Sequence, residues 1–101
     1  MPQSLQTTLS ICDEIDALLA DSREGENTEK LRQIHTLLAR LYGQGPYITR
    51  TTDRLKERAS IYFSARRHQK ETGGAPAVLH EMRYSLLGRI RDEARERTKS
   101  Q

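Results

Sequence analysis

Apolar residues return every three or four positions along most of this chain, and that pattern breaks at three places. In the first stretch Leu5, Leu9, Cys12, Ile15 and Leu19 fall on one face, with Ile11 and Leu18 widening it. Gln6, Ser10, Asp13, Glu14 and Asp21 fall opposite. Such a stripe against a polar face predicts an amphipathic helix from about Ser4 to Asp21. Cys12 lies inside the stripe with no basic neighbour, so it reads as a small buried hydrophobe.

The breaks are SREGEN at 22–27, GQGP at 43–46 and TGGAP at 72–76, each rich in turn-forming residues. Asn27 or Thr28 can cap a second helix that runs to about Tyr42, with Leu31, Ile34, Leu37, Leu38 and Leu41 facing inward. Gly43 suits the left-handed position just past a helix end. A third helix opens at Gly45-Pro46, where proline is tolerated in the first turn, and the pattern predicts that it continues to about Lys70. Its apolar face is Ile48, Leu55, Ala59, Tyr62 and Phe63, which leaves Ile61 on the charged side. Gly73-Gly74 separates it from a fourth helix with Pro76 in its first turn and a stripe of Leu79, Met82, Leu86, Leu87 and Ile90. Arg89, Glu93 and Arg97 then offer ion pairs at four-residue spacing.

The expected fold is therefore all-α: one domain over residues 1–101, four helices as two antiparallel hairpins, bundle-like. Composition adds one qualification. The chain is 35% hydrophobic and 31% charged, against averages of about 45–50% and 25%. Either the helices bury narrow stripes, or an oligomer or partner completes the core.

Charge is unevenly spread around the net +3. Residues 1–44 hold four basic and seven acidic residues, a net −3, and residues 45–101 hold thirteen and seven, a net +6. That asymmetry points to an acidic partner for the second half, to self-association, or to solvated helix faces. A single cysteine, no apolar run of about 18 residues and no basic-then-apolar N-terminus imply a cytoplasmic protein without a membrane segment.

Catalytic signals are weak. His35, His68 and His80 have no partner at metal-ligand spacing, and no phosphate-cradling, dinucleotide or nucleophile-elbow motif occurs. No catalytic, cofactor or metal residue is assigned, and a non-enzymatic role is expected. His35, at the edge of the second stripe, reads as a boundary histidine or a pH-sensitive contact.

Two surfaces remain as candidate partner-binding sites. On the third helix Arg50, Arg54 and Arg58 recur every four residues beside Ile61, and Arg66 and Arg67 extend the charge toward its end. A basic ridge suits nucleic acid. Against that, Asp53 and Glu57 can pair with Arg50 and Arg54, and no aromatic residue is interleaved for stacking. The cations at 66–70 have a plainer account as charges at a helix C-terminus. On the fourth helix Tyr84, Gly88, Arg91 and Arg95 share the side away from the apolar stripe. Glycine inside a helix costs about 1 kcal/mol relative to alanine, so Gly88 suggests a crossing point, within the protein or with a partner. The leading expectation is a small protein–protein interaction module: an adaptor, assembly factor or inhibitor. The alternative is nucleic-acid binding through the basic half. Size and lack of motifs, rather than any residue, suggest a bacterial virus or mobile element.

Overall fold

A computed structural model describes residues 5–99, and among them the fold is helical without a strand. Helix α1 spans Leu5–Ala20, α2 Thr28–Ala39 and α3 Pro46–Tyr62. A 3-10 turn follows at Arg67–Lys70. The last helical rod has three parts: α4 (Gly74–His80), a π segment (Glu81–Leu86) and α5 (Leu87–Lys99). The backbone stays right-handed through both junctions, with φ −58° at Glu81 and −63° at Leu87, so the rod is unbroken. The expected start of the first helix at Ser4 lies outside the described residues.

Local chemistry explains most of these limits. The Asn27 side chain accepts from the Lys30 amide at 3.0 Å, satisfying one of the four orphan donors at the start of α2. α2 ends three residues before the expected Tyr42. There the Arg40 and Leu41 amides bond back to Leu37 and Leu38, a tightened last turn that carries the chain to Gly43. Gly73 has φ +82°, and a Cβ there would lie 2.7 Å from that of Ala77, so the bend into α4 requires glycine.

The third helix stops at Tyr62, not Lys70. Phe63 leaves helical geometry at φ −95°, ψ 17°, and the Ser64 hydroxyl bonds the Ile61 carbonyl while accepting from the Arg67 amide. The chain then folds back on α3 as the 3-10 turn, α4 and the π segment.

α1 packs on α2 and on α5, α2 on α3, and α3 on the whole last rod, so the four rods close a ring compatible with a bundle. One core cluster draws Ile11, Ile15 and Leu19 from α1, Ile34 and Leu38 from α2, Ile48 and Leu55 from α3, and Val78 through Ile90 from the last rod. Cys12 is fully buried in it, as its place in the stripe implies. Burial pushes its thiol up to about 11. These buried residues meet one another within the single chain.

The last rod departs from the expected stripe in an informative way. Val78, Met82, Leu86, Ile90 and Ala94 are spaced by four and all buried. A straight α-helix carries residues spaced by four around its axis by about 40° per step. The wider turn of the π segment absorbs part of that drift and keeps Val78 and Ile90 on the same core.

No helix among the described residues is long and apolar enough to cross a membrane.

Candidate interaction surfaces

The arginine ridge of α3 turns inward at Arg58, while Arg50 and Arg54 stay exposed. α4, the π segment and the 3-10 turn lie on this side of α3 and cover its Arg58 end. Arg58 is 8% exposed and Ile61 3%, which corrects the expectation that both face solvent. The Arg58 Nη1 donates to Glu71 Oε2 at 3.1 Å, and its Nε stands 3.1 Å from Glu81 Oε1. That second contact is an ion pair without hydrogen-bond alignment. Arg54 donates from Nε to the other Glu81 oxygen at 3.0 Å, and its Nη1 lies 4.0 Å from Glu57, the local pair expected from spacing. Asp53 accepts from the Tyr42 hydroxyl instead of holding Arg50. Burial, then that hydrogen bond, pushes the Tyr42 phenol up to about 12. Of the ridge, Arg50 is exposed and forms no ion pair among the described residues.

The last rod is similarly committed. Arg83 donates to Asp16 at 2.8 Å, and Arg91 to Asp13 at 2.8 Å, so the acidic first helix and basic last rod neutralise each other inside the molecule. The bond to Asp16 also raises the Arg83 pKa above its already high ordinary value. Arg95 lies 3.6 Å from Asp92 and Arg97 3.5 Å from Glu93. These links account for much of the charge asymmetry along the chain.

What remains outward on the rod is a small aromatic face. Tyr84 is 62% exposed, the most exposed large hydrophobic residue described. Its ring packs on His80 with centroids 4.8 Å apart, and the Arg83 guanidinium carbon lies 5.2 Å from its centroid. Four residues on, a Cβ at Gly88 would meet nothing within 4 Å. The close internal crossing expected at Gly88 is thus absent, and the glycine leaves open space on the face.

The cations at 66–70 are not at the C-terminus of α3, which has ended and whose last turn contains no basic residue; Arg67, His68 and Lys70 lie instead in the last turn of the 3-10 helix. Arg66, Arg67 and Lys70 are exposed on the short 3-10 turn, while His68 between them is 6% exposed. Among the described residues its Nδ1 has no hydrogen-bond partner, nor does His35 Nε2 on α2. Burial first, and the Lys56 charge second, lower the His35 pKa. The α1–α2 loop touches the same end of α3, where the Gly25 amide donates to the Tyr62 carbonyl at 3.0 Å. Burial, then the charge of nearby Glu24, raises the Tyr62 phenol.

The clearest concavity is a groove of about 520 Å³ between α1 and α2, floored by Ala17, Leu18 and Leu37 and edged by Glu14, Asp21 and Arg32. It holds no convergent polar set of the kind that orients a small substrate. No group of three or more His, Cys, Asp or Glu among the described residues could hold a metal ion.

No protein-family model matches the chain, and no curated protein or solved structure matches it either.

Of the sequence-derived candidates, Arg54, Arg58 and Ile61 belong to an internal contact and Arg91 to an ion pair with α1. Tyr84 and Gly88 share one open face, and Arg66 and Arg67 a separate turn. The carboxylates Glu71, Glu81, Asp13 and Asp16 were missed as arginine partners. Their signal was an acid on one predicted helix for each arginine on another.

Proposed function

We propose that this chain is a non-enzymatic helical interaction module that binds another protein, as an adaptor, assembly factor or inhibitor. One observation carries the reading: Tyr84 stands exposed on a π segment, braced by His80 and Arg83, beside the open space over Gly88. Tyrosine and arginine around a small residue are the composition of an interface hot spot, and a tyrosine held by its neighbours loses little side-chain freedom on binding. π turns are also frequent at functional sites.

The test pairs Tyr84→Ala with Gly88→Leu. A partner, or a second copy seen by light scattering, captured by the wild-type chain should be lost by at least about tenfold with either variant, since a hot-spot truncation costs about 2 kcal/mol or more. Neither change touches the core, so the thermal midpoint should hold. Partners retained by both variants would reject this face.

Nucleic-acid binding is the second reading, favoured only by the exposed cations without ion pairs among the described residues: Arg23, Arg50, Lys56, Arg66, Arg67, Lys70 and Arg89. Its signature would be binding that weakens steeply with salt.

A further inference from the structure

We infer that the Arg66–Lys70 turn is a docking site for a short acidic segment of a partner protein, a surface separate from the Tyr84 face. Its first support is where the remaining charge lies. Arg32, Arg54, Arg58, Arg83, Arg91, Arg95, Arg97 and Lys30 each have a carboxylate within 4.0 Å. Arg66, Arg67 and Lys70 have none among the described residues, although they crowd into five positions and are all exposed. Like charges so close repel one another; α3 stops at Tyr62 and offers them no helix end, and the 3-10 helix that carries Arg67 and Lys70 is a single turn with little dipole to offset the repulsion.

The second support is rigidity. The Arg67 amide donates to Ser64 Oγ at 2.9 Å, and the Gln69 amide to the Arg66 carbonyl at 3.0 Å. His68 is sunk at the middle of the turn, and Arg58 holds Glu71 at its exit. The three cations thus project from a backbone fixed before binding, which lowers the ordering cost of association.

Three observations favour an acidic peptide over a nucleic acid. The patch is one turn long, and the neighbouring arginines that could prolong it along α3 are taken by Glu57, Glu71 and Glu81. The exposed aromatics Tyr42, Tyr47 and Tyr84 belong to other segments, so the turn has no platform for bases. Glu24 and Glu26 flank Gly25, whose amide is bonded to Tyr62, and, with Arg23 the one cation beside them, they oppose a long polyanion crossing that end of the molecule.

The experiment compares a fluorescein-labelled oligoglutamate peptide with an oligothymidylate strand of equal length, by anisotropy at about 20 mM ionic strength, where exposed charges are weakly screened. Two triple variants lose the same net charge: Arg66→Ser, Arg67→Ser, Lys70→Ser in the turn, and Arg50→Ser, Lys56→Ser, Arg89→Ser elsewhere. Peptide binding should weaken by about tenfold or more in the turn variant and by less than about twofold in the control. Amide shifts of the wild-type protein should move at 66–70 on adding peptide, a readout independent of how the variants fold. Equal weakening in both variants, no peptide binding, shifts centred elsewhere, or tighter binding of oligothymidylate through the turn would each overturn the assignment. Because the peptide probe does not involve Tyr84, failure here leaves the proposed module untouched, and the converse also holds.

Discussion

Arg58 Nε and Glu81 Oε1 stand 3.1 Å apart, joining the third helix to the head of the π segment. Arg58 is nearly sequestered, whereas Glu71 and Glu81 keep about a third of their side chains in solvent. The two sides of the network should therefore respond differently to mutation. Removing both carboxylates, as Glu71→Gln with Glu81→Gln, strands a buried guanidinium and should cost about 3–5 kcal/mol in urea unfolding. Arg58→Met removes the buried charge, keeps its volume and should cost less. A larger loss from Arg58→Met would mean that the pair is net stabilising.

Thr52 is fully buried on α3, and its hydroxyl has no partner among the described residues. A buried hydroxyl without a hydrogen bond is desolvated at a cost of about 1–3 kcal/mol. Thr52→Val replaces it with a methyl group, and the urea midpoint should rise by the equivalent of about 1 kcal/mol. A fall would show that the oxygen has a partner in solution.

The π segment keeps a four-residue apolar spacing on one core. Deleting Ser85 would leave Val78 and Ile90 eleven residues apart, which ordinary α winding places within about 20° of one another. The core face should therefore survive the deletion, and the urea midpoint should fall by much less than with Leu86→Ala, which costs about 2–5 kcal/mol. A loss as large as that of Leu86→Ala would show that the packing requires the wider turn.

His35 titrates below its ordinary range because burial and the Lys56 charge disfavour the protonated ring. The sign follows from linkage. Below about pH 6.5 the unfolded chain takes up a proton that the folded chain resists. Stability from the neutral ring is present above that pH and is lost as pH falls through the folded value. The wild-type midpoint should therefore fall more steeply than that of His35→Gln between pH 7 and pH 5. Parallel curves would remove the effect.

Cys12 combines complete burial with a thiol pushed up to about 11. Thiolate is the reactive form, so a disulfide reagent at pH 8 should leave the folded protein unmodified and react fully once urea unfolds it. Rapid labelling of the native chain would reveal local opening of α1.

Much of this architecture is legible in the residues. The three breaks fall where glycine, proline and asparagine demand them, and Asn27 and Pro46 mark two of the helix starts. The end of α3 is not legible, because IYFSARRHQK contains no glycine, proline or asparagine and the Ser64 bonds that close the turn have no distinctive pattern. The returning chain then brings Glu71 and Glu81 onto Arg58, a relation set by tertiary contact. For the same reason the Arg58 end of a ridge that looks solvated on a helical wheel becomes internal. Tyr84 was identifiable as outward-facing from its position alone. The π turn was not legible, since Leu79, Met82, Leu86, Leu87 and Ile90 read as an ordinary helical stripe and the buried four-residue spacing from Val78 to Ala94 emerges only in the fold.

The links from Asp16 to Arg83 and from Asp13 to Arg91 tie α1 to the π segment and to α5 across 67 and 78 positions. Consider a ribosome making this chain. Ile11, Ile15 and Leu19 leave the exit tunnel well before the α5 surface that packs on α1 has been translated. Contacts so far apart in sequence close late, and the wait is imposed by synthesis as well as by loop entropy. A transcript broken before the codon for Arg91 would release a chain whose α1 lacks its cover from α5, a substrate for chaperones and proteases.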